Sequence, residues 1–224
     1  MNFLSHFYFD RENPNAYEVL GTVLPDLIKN AAKSWVIHPE KKEHLFLENK
    51  NHKALLKGWR RHIEVDRLFH GSTFFLHHQH QIKLVIRETI AGSPVKPFFL
   101  GHISLELMLD SLLITEGLID PNQFYEIIEQ VNEVDLKSFL LLNRIEDTDR
   151  FFHFFERFKK EKYLFSYSNP EKITYALKQI CMRLWQDPFT VDQQDALTKS
   201  LLVYKGRLAE EFISIFEMID AQLN

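Results

Sequence analysis

The most apolar stretch of the chain, PFFLGHISLELMLDSLL from Pro97 to Leu113, decides the fold class. It is hydrophobic on nearly every helical face, so we expect a central, buried helix. Elsewhere, charged and apolar residues repeat at helical spacing, segments of alternating polarity are almost absent, and glycines number only 7. The sequence therefore predicts an all-α protein, folded as a single-domain multi-helix bundle.

Caps, prolines and periodicity outline the other helices. We expect them at about 16–32, 49–69, 74–90, 121–131, 135–142, 147–162, 169–185 and 192–222. Pro25 is expected to kink or restart the first of these helices, because proline removes a hydrogen bond inside a helix.

Composition limits the function classes. The 224 residues with 45% hydrophobic content predict a folded domain with a substantial core. No apolar run approaches the roughly 20 residues of a membrane span, and residues 1–10 lack the features of a signal peptide. We therefore expect a cytoplasmic protein without a membrane span. The net charge of −4 gives no global basic footprint for nucleic acid, so none is expected.

Histidine is unusually frequent, with 11 residues against the single Cys181. Any metal site would therefore use imidazole and carboxylate. Residues four apart share a helix face, so His62 and Asp66 could line one stripe, with His70 as a further member.

The central helix carries a second stripe, consisting of His102, Glu106 and Asp110. Burying two carboxylates there costs several kcal/mol per unpaired charge, so something should compensate them. Two facing stripes could hold a divalent cation such as manganese, iron, zinc or magnesium. Surface ion pairs, or an arginine–carboxylate network using Arg60 or Arg61, are the structural alternatives.

Two further candidates lie nearer the start of the chain. Asp26 follows Pro25, where it could point inward as a ligand or cap a restarted helix. His6 lies in an aromatic segment and, taken alone, fits a core histidine better than a ligand. Cys181 lies among apolar residues and indicates core packing.

Four short segments resemble, in the same order, segments of the bacterial acyl carrier protein phosphodiesterases, which release 4′-phosphopantetheine from holo acyl carrier protein. The first is the opening Met1-Asn2-Phe3-Leu4-Ser5-His6. The second, Gly21-Thr22-Val23-Leu24-Pro25-Asp26, resembles the family's Gly-Asn-Leu-Leu-x-Asp segment. The third, Gly58 to Asp66, resembles its Gly-x-x-x-His-x-x-x-Asp helix, and the fourth, Glu106 to Leu113, its Asp-x-x-x-Asp-His-Phe-Leu helix.

The resemblance implies an all-helical, HD-domain-like metal-dependent phosphohydrolase with manganese as cofactor and a site in residues 1–115. The implied metal ligands are His6, Asp26, His62, Asp66, His102, Glu106 and Asp110. Catalytic roles would fall to Asp26, Asp66 and His70, and phosphate binding to Arg60 and Arg61.

The motifs also depart from the family. This chain has Phe69-His70-Gly71-Ser72 where the family has Thr-Asp-x-His, and Asp110-Ser111 where it has Asp-His. Glu106 replaces an aspartate. His70 and His102 could supply imidazoles from other positions.

The expected partner is acyl carrier protein, which is acidic and would need a basic docking patch. The candidates for that patch are Lys41, Lys42, Arg60, Arg61 and Arg67. Two alternatives stay open: hydrolysis of another phosphoester at the same metal site, and a non-enzymatic helical interaction protein. Residues 120–224 match the family only in their helical character.

Overall fold

The structure is a computed structural model that describes residues Met1–Leu223. Within them the chain forms α-helices and short 3₁₀ segments and no strand, which confirms the all-α, multi-helix prediction. The helices are α1 (Phe3–Tyr8), α2 (Ala16–Ala31), α3 (Lys50–His70), α4 (Thr73–Arg87), α5 (Pro97–Thr115), α6 (Pro121–Ile128), α7 (Glu133–Leu142), α8 (Thr148–Glu161), α9 (Pro170–Met182), α10 (Val191–Leu208) and α11 (Ile213–Leu223). The 3₁₀ segments are Pro39–Lys41, Glu43–Phe46 and Tyr163–Ser168.

The helices belong to two compact units, each built from separate parts of the chain. The His62 unit contains Asn2–Asp66 and Ile119–Leu164. The His102 unit contains Met1, Arg67–Leu118 and the segment that begins at Phe165. Helix α3 contributes to both units. The expectation that the chain forms a single domain stays a prediction.

In the His62 unit, helix α2 packs against α1, α6 and α8. It begins at Asn15, whose side chain accepts hydrogen bonds from the backbone N–H groups of Tyr17 and Glu18. Helices α2 and α3 approach each other closely at two glycines. A Cβ atom on Gly58 would lie 2.0 Å from the backbone oxygen of Glu18, and one on Gly21 would lie 2.4 Å from that of Leu55. Only glycine allows this approach, which brings the next turns of both helices together.

In the His102 unit, helix α5 packs against α4, α9 and α10. Its leucines are buried around the helix, as the apolar segment predicts. By length and composition α5 could also cross a membrane, with a mean hydropathy of 1.5 and 61% of the window buried inside the protein. The core helix of a soluble protein passes the same test. The expectation that no apolar run approaches spanning length is therefore wrong, and the absence of a span stays a prediction.

Two helix boundaries differ from the prediction. Helix α2 continues through Pro25, so of the two predicted effects the restart is wrong, and the kink stays a prediction. The predicted helix 192–222 is two helices, α10 and α11, separated by a turn at residues 209–212. Neither proline nor glycine lies in that turn, so the sequence carries no signal for the break.

Candidate metal centre

Three side chains in the His62 unit bring potential ligand atoms together, and we call them the His62 triad: His6, His62 and Asp66. Their ligand atoms all lie within 4.8 Å of one another. The Nε2 atom of His6 lies 3.3 Å from Asp66 Oδ1, and the Nε2 atom of His62 lies 3.6 Å from Asp66 Oδ2. Tetrahedral metal bonds of 2.0–2.1 Å separate ligand atoms by roughly 3.3 Å, so the triad has the spacing of a metal site.

A backbone hydrogen bond orients His62. Its Nδ1 atom lies 2.8 Å from the carbonyl oxygen of Thr22 on α2. Because a carbonyl only accepts, Nδ1 carries a proton, and in the neutral form of His62 the lone pair is therefore on Nε2. Metal-binding histidines are commonly oriented in this way by their second nitrogen. The glycine contact between α2 and α3, one turn before His62, is what allows the approach to Thr22.

His6 on α1 is buried against His62. The two rings stack with centroids 4.0 Å apart and an interplanar angle of 18°. Both ring nitrogens of His6 are buried, and neither has a hydrogen-bond partner among residues Met1–Leu223. Burial, and after it the positive charge of a protonated His62, lower the pKa of His6 to about 4. At neutral pH, His6 is therefore the uncharged imidazole that binds metals.

Asp66 is held in its charged form. Burial alone would raise the pKa of its carboxyl group, but the adjacent His6 ring and nearby positive charges overcome that effect and lower the pKa well below its ordinary value. The triad thus offers two imidazoles and one carboxylate.

An open cavity of about 380 Å³ leads to the His62 triad. His62 and Asp66 form part of its wall, together with Asp26 and Lys29 from α2. The remaining wall is mainly apolar or aromatic and consists of Pro25, Ile28, Trp35, Val36, Ile37, His38, Trp59 and Ile63. A small ligand can therefore reach the triad from solvent.

The His102 unit contains a second group, which we call the His102 triad: His70, His102 and Glu106. The two Nε2 atoms lie 3.3 Å apart. The Oε1 atom of Glu106 lies 3.3 Å from the Nε2 atom of His70 and 3.1 Å from the Nε2 atom of His102. The Met1 amino group lies 3.2 Å from the same Oε1 atom. The carboxylate is therefore surrounded by donors.

These donors determine the charge of Glu106. Burial would raise the pKa of its carboxyl group, but the Met1 amino group, followed by the hydrogen bonds from His102 and His70, lowers it well below its ordinary value. Glu106 is therefore negatively charged and paired.

The remaining predicted site residues lie outside both triads. Asp26 lines the cavity beside His62 and Asp66, and Asp110 is fully buried on α5. The Arg60 guanidinium binds Glu43 through two hydrogen bonds of 3.1 and 2.8 Å. The Nε atom of Arg61 lies 3.6 Å from Asp10 Oδ2. Ligand roles for Asp26 and Asp110 and phosphate contacts for the two arginines stay predictions.

The resemblance implied that His6 and His62 belong to the same site, but the stacking of their rings was not predicted. The orienting carbonyl of Thr22 and the cavity cation Lys29 were not predicted either. The signal that comes nearest is the Gly21–Asp26 segment, which contains Thr22. Comparison with known proteins finds no matching family model, no matching curated protein and no matching solved structure.

Proposed function

We propose that the protein is a metal-dependent phosphodiester hydrolase whose cation binds at the His62 triad. The observation that carries the proposal is the convergence of His6, His62 and Asp66 beside an open cavity. Two imidazoles and a carboxylate suit manganese, iron or zinc, whereas magnesium prefers oxygen ligands. Manganese is the expectation from the resemblance to acyl carrier protein phosphodiesterases.

The residues present fit such a cation. Neither buried nitrogen of His6 makes a hydrogen bond of normal geometry, although Nε2 lies 3.3 Å from Asp66 Oδ1, and burying polar atoms in this way costs free energy unless something binds them. Coordination would satisfy the ring. His62 already has the tautomer that leaves Nε2 available, and Asp66 supplies negative charge.

Each residue would have a distinct role in hydrolysis. A bound divalent cation lowers the pKa of a water molecule and neutralises charge on phosphate oxygens. His6, His62 and Asp66 would hold it. Asp26, on the wall of the same cavity, would accept a proton from the attacking water. Lys29, on that wall too, is better placed than Arg60 or Arg61 to contact a phosphate oxygen, since both arginines face carboxylates.

The expected substrate is holo acyl carrier protein, from which 4′-phosphopantetheine would be released. This part of the proposal depends on the resemblance of the four segments. Another phosphodiester, such as a nucleotide or a phospholipid head group, would use the same chemistry.

The test combines metal content with hydrolysis. Protein purified without chelator is compared with His62→Gln and Asp66→Asn, and with His153→Gln as the control, since His153 is exposed on α8. We expect wild type and control to bind manganese and to hydrolyse holo acyl carrier protein and bis(p-nitrophenyl) phosphate. Both triad variants should lose metal and activity. Equal metal content in all four proteins would refute the proposal, and hydrolysis of the small diester alone would refute the carrier-protein substrate.

One observation favours a second candidate, a helical interaction protein whose polar stripes are internal ion pairs. In the His102 triad, Glu106 already has His70, His102 and the Met1 amino group as partners. That network needs no cation. Metal analysis of an Asp66→Ala, Asp110→Ala double variant decides between the candidates, because negligible metal in both wild type and variant would favour the interaction protein.

A further inference from the structure

A second cavity, of about 430 Å³, adjoins the one at the His62 triad. It lies between the segment 34–42 and the end of α7, at residues 143–145. The two cavities share Trp35, Val36, Ile37 and His38 as lining residues. A ligand bound at the triad is therefore within reach of the second cavity.

The second cavity is cationic. Lys41, Lys42 and Arg144 line it, and no aspartate or glutamate does. None of the three cations forms a salt bridge with a carboxylate in the part of the chain that the structure describes. Three unopposed positive charges around a concave surface, in a chain with a net charge of −4, attract an anion.

The acidic residues next to the two cavity lysines in the chain already have partners. Glu40 accepts a hydrogen bond of 3.1 Å from the Trp59 indole and lies 3.2 Å from Nδ1 of His38, which lines both cavities. Glu43 binds both terminal nitrogens of Arg60. Neither carboxylate therefore pairs with the three cations of the cavity.

The backbone of Arg144 is unusual for a residue with a side chain. Its φ of 66° lies in the left-handed region, where glycine is favoured. The position closes α7, with the Arg144 N–H bonded to the Leu141 carbonyl and the Ile145 N–H to the Leu140 carbonyl. Glycine would close this turn with less strain, so a guanidinium is held at the cavity at a cost. Such strain is typical of ligand sites.

Asn143 supplies an acceptor. Its side chain is 3% exposed and lines the cavity, and its Nδ2 atom donates to the Phe139 carbonyl at 2.9 Å. The Oδ1 atom has no hydrogen-bond partner among the residues described. A monoprotonated phosphate offers what both kinds of group require, namely negatively charged oxygens for the cations and a P–OH donor for Oδ1.

We propose that this cavity binds a terminal phosphate, so that the substrate is a phosphodiester carrying a second, monoester phosphate. The proposal deepens the proposed phosphodiester hydrolysis and rests on it, because it places cleavage at the His62 triad. It favours the alternative of a small phosphodiester over holo acyl carrier protein, whose prosthetic group carries no monoester phosphate. Lys41, Lys42 and Arg144 hold the terminal phosphate while the diester occupies the neighbouring cavity.

The first test uses two chromogenic esters that differ in one group, thymidine 5′-(p-nitrophenyl phosphate) with and without a 3′-phosphate. With manganese, we expect the 3′-phosphate to lower KM by roughly ten- to hundredfold, the size of a few charge-assisted hydrogen bonds. A Lys41→Ala, Lys42→Ala, Arg144→Gly variant should bring this ratio close to one. Equal KM values for wild type would overturn the proposal and leave the proposed function standing.

A matched control separates the cavity from net charge. Lys53→Ala, Lys160→Ala, Lys162→Gly removes the same charge elsewhere in the unit, and Lys162 also has a left-handed backbone, with φ of 45°. The control should keep the KM ratio of wild type. A ratio lost equally in both triple variants would overturn the proposal, since only general charge would then matter.

The second test needs no hydrolysis. Calorimetry with inorganic phosphate is performed in EDTA on the Asp66→Asn protein, with and without the cavity substitutions. We expect 1:1 binding that the Lys41, Lys42 and Arg144 substitutions abolish. If this binding occurs but neither ester is cleaved, the proposed function is wrong and the phosphate site stands. Absence of phosphate binding, or binding of polyglutamate instead, would overturn the site.

The single variant Arg144→Gly tests whether misfolding, rather than loss of the guanidinium, explains weaker phosphate binding. It should weaken phosphate binding while leaving the melting temperature equal or higher, because glycine relieves the strained φ. Lys162→Gly should change neither phosphate binding nor the KM ratio. Weakened binding accompanied by a lower melting temperature would count against the site.

Discussion

The approach of α2 to α3 makes Gly58→Ala the sharpest test of the fold around the His62 triad. A Cβ atom at residue 58 would lie 2.0 Å from the Glu18 carbonyl oxygen and 2.8 Å from the Cα atom of Gly21. Ordinary van der Waals contacts begin at 3.4 Å. Both neighbours are backbone atoms, so no side-chain rotation relieves the overlap and the helices must separate by about 1.4 Å or bend.

The free-energy cost follows from three contributions. Overpacking against rigid neighbours costs about 3 kcal/mol, at the upper end of its usual range. Separation of the helices also lengthens the hydrogen bond from His62 to Thr22, which contributes about 1 kcal/mol. The higher helix propensity of alanine returns about 1 kcal/mol. We therefore expect the free energy of unfolding to fall by about 3 kcal/mol.

Urea unfolding followed by circular dichroism measures this loss, and manganese binding measures its effect on the triad. Gly206→Ala on α10 is the control, because nothing lies within 4 Å of a Cβ atom there. The control should gain up to ~1 kcal/mol and bind metal normally. If Gly58→Ala unfolds at the same urea concentration as Gly206→Ala, the glycine contact does not exist in the form described.

Three further predictions concern other parts of the molecule. Burial lowers the pKa of His6 to about 4 and lowers that of His78 from 6.5. In EDTA, the free energy of unfolding should therefore change little between roughly pH 7.5 and 8 and fall as the pH decreases toward 4, because the unfolded chain binds protons that the folded histidines do not bind. Urea midpoints that rise on acidification would contradict this. Burial raises the pKa of the Cys181 thiol to about 12, so iodoacetamide at pH 8 should label this thiol only after unfolding. Fast labelling of the native protein would contradict this and show that the thiol is accessible. Asp135→Ala removes the acceptor of three side-chain hydrogen bonds and should lower the free energy of unfolding, measured in urea, by about 1–3 kcal/mol. The control is Asp149→Ala, whose side chain is 96% exposed and which should cost less than about 0.5 kcal/mol. Equal urea midpoints would mean that the network contributes nothing.

Helical spacing was enough to predict which residues share a stripe within one helix. His62 with Asp66, and His102 with Glu106, lie four residues apart, and each pair is brought together in the structure. An α-helix advances 100° per residue, so residues eight apart are rotated by roughly 80°. The third members of the predicted stripes, His70 and Asp110, therefore do not join the pairs that precede them.

Contacts between helices could not be predicted in the same way. His6 meets His62 across 56 residues of sequence, and periodicity does not indicate which face of one helix meets which face of another. The close contact of Gly21 with Gly58 brings α3 to α2, the helix against which α1 packs. Both glycines were visible in the sequence, but a glycine inside a helix only indicates weaker helix propensity until its neighbour is known.

The two triads have the same kinds of ligand and differ in how they are satisfied. In the His102 triad, both imidazole Nε2 atoms lie within hydrogen-bond distance of Glu106, so the group is complete without a cation. In the His62 triad, a backbone carbonyl orients His62 through Nδ1, and the buried His6 ring makes no hydrogen bond of normal geometry, its only close polar contact being Asp66 at 3.3 Å. A cation bound there would satisfy a ring that is poorly satisfied, whereas a cation at the His102 triad must first displace the hydrogen bonds to Glu106. For this reason the open cavity beside the His62 triad is the place where metal chemistry is expected.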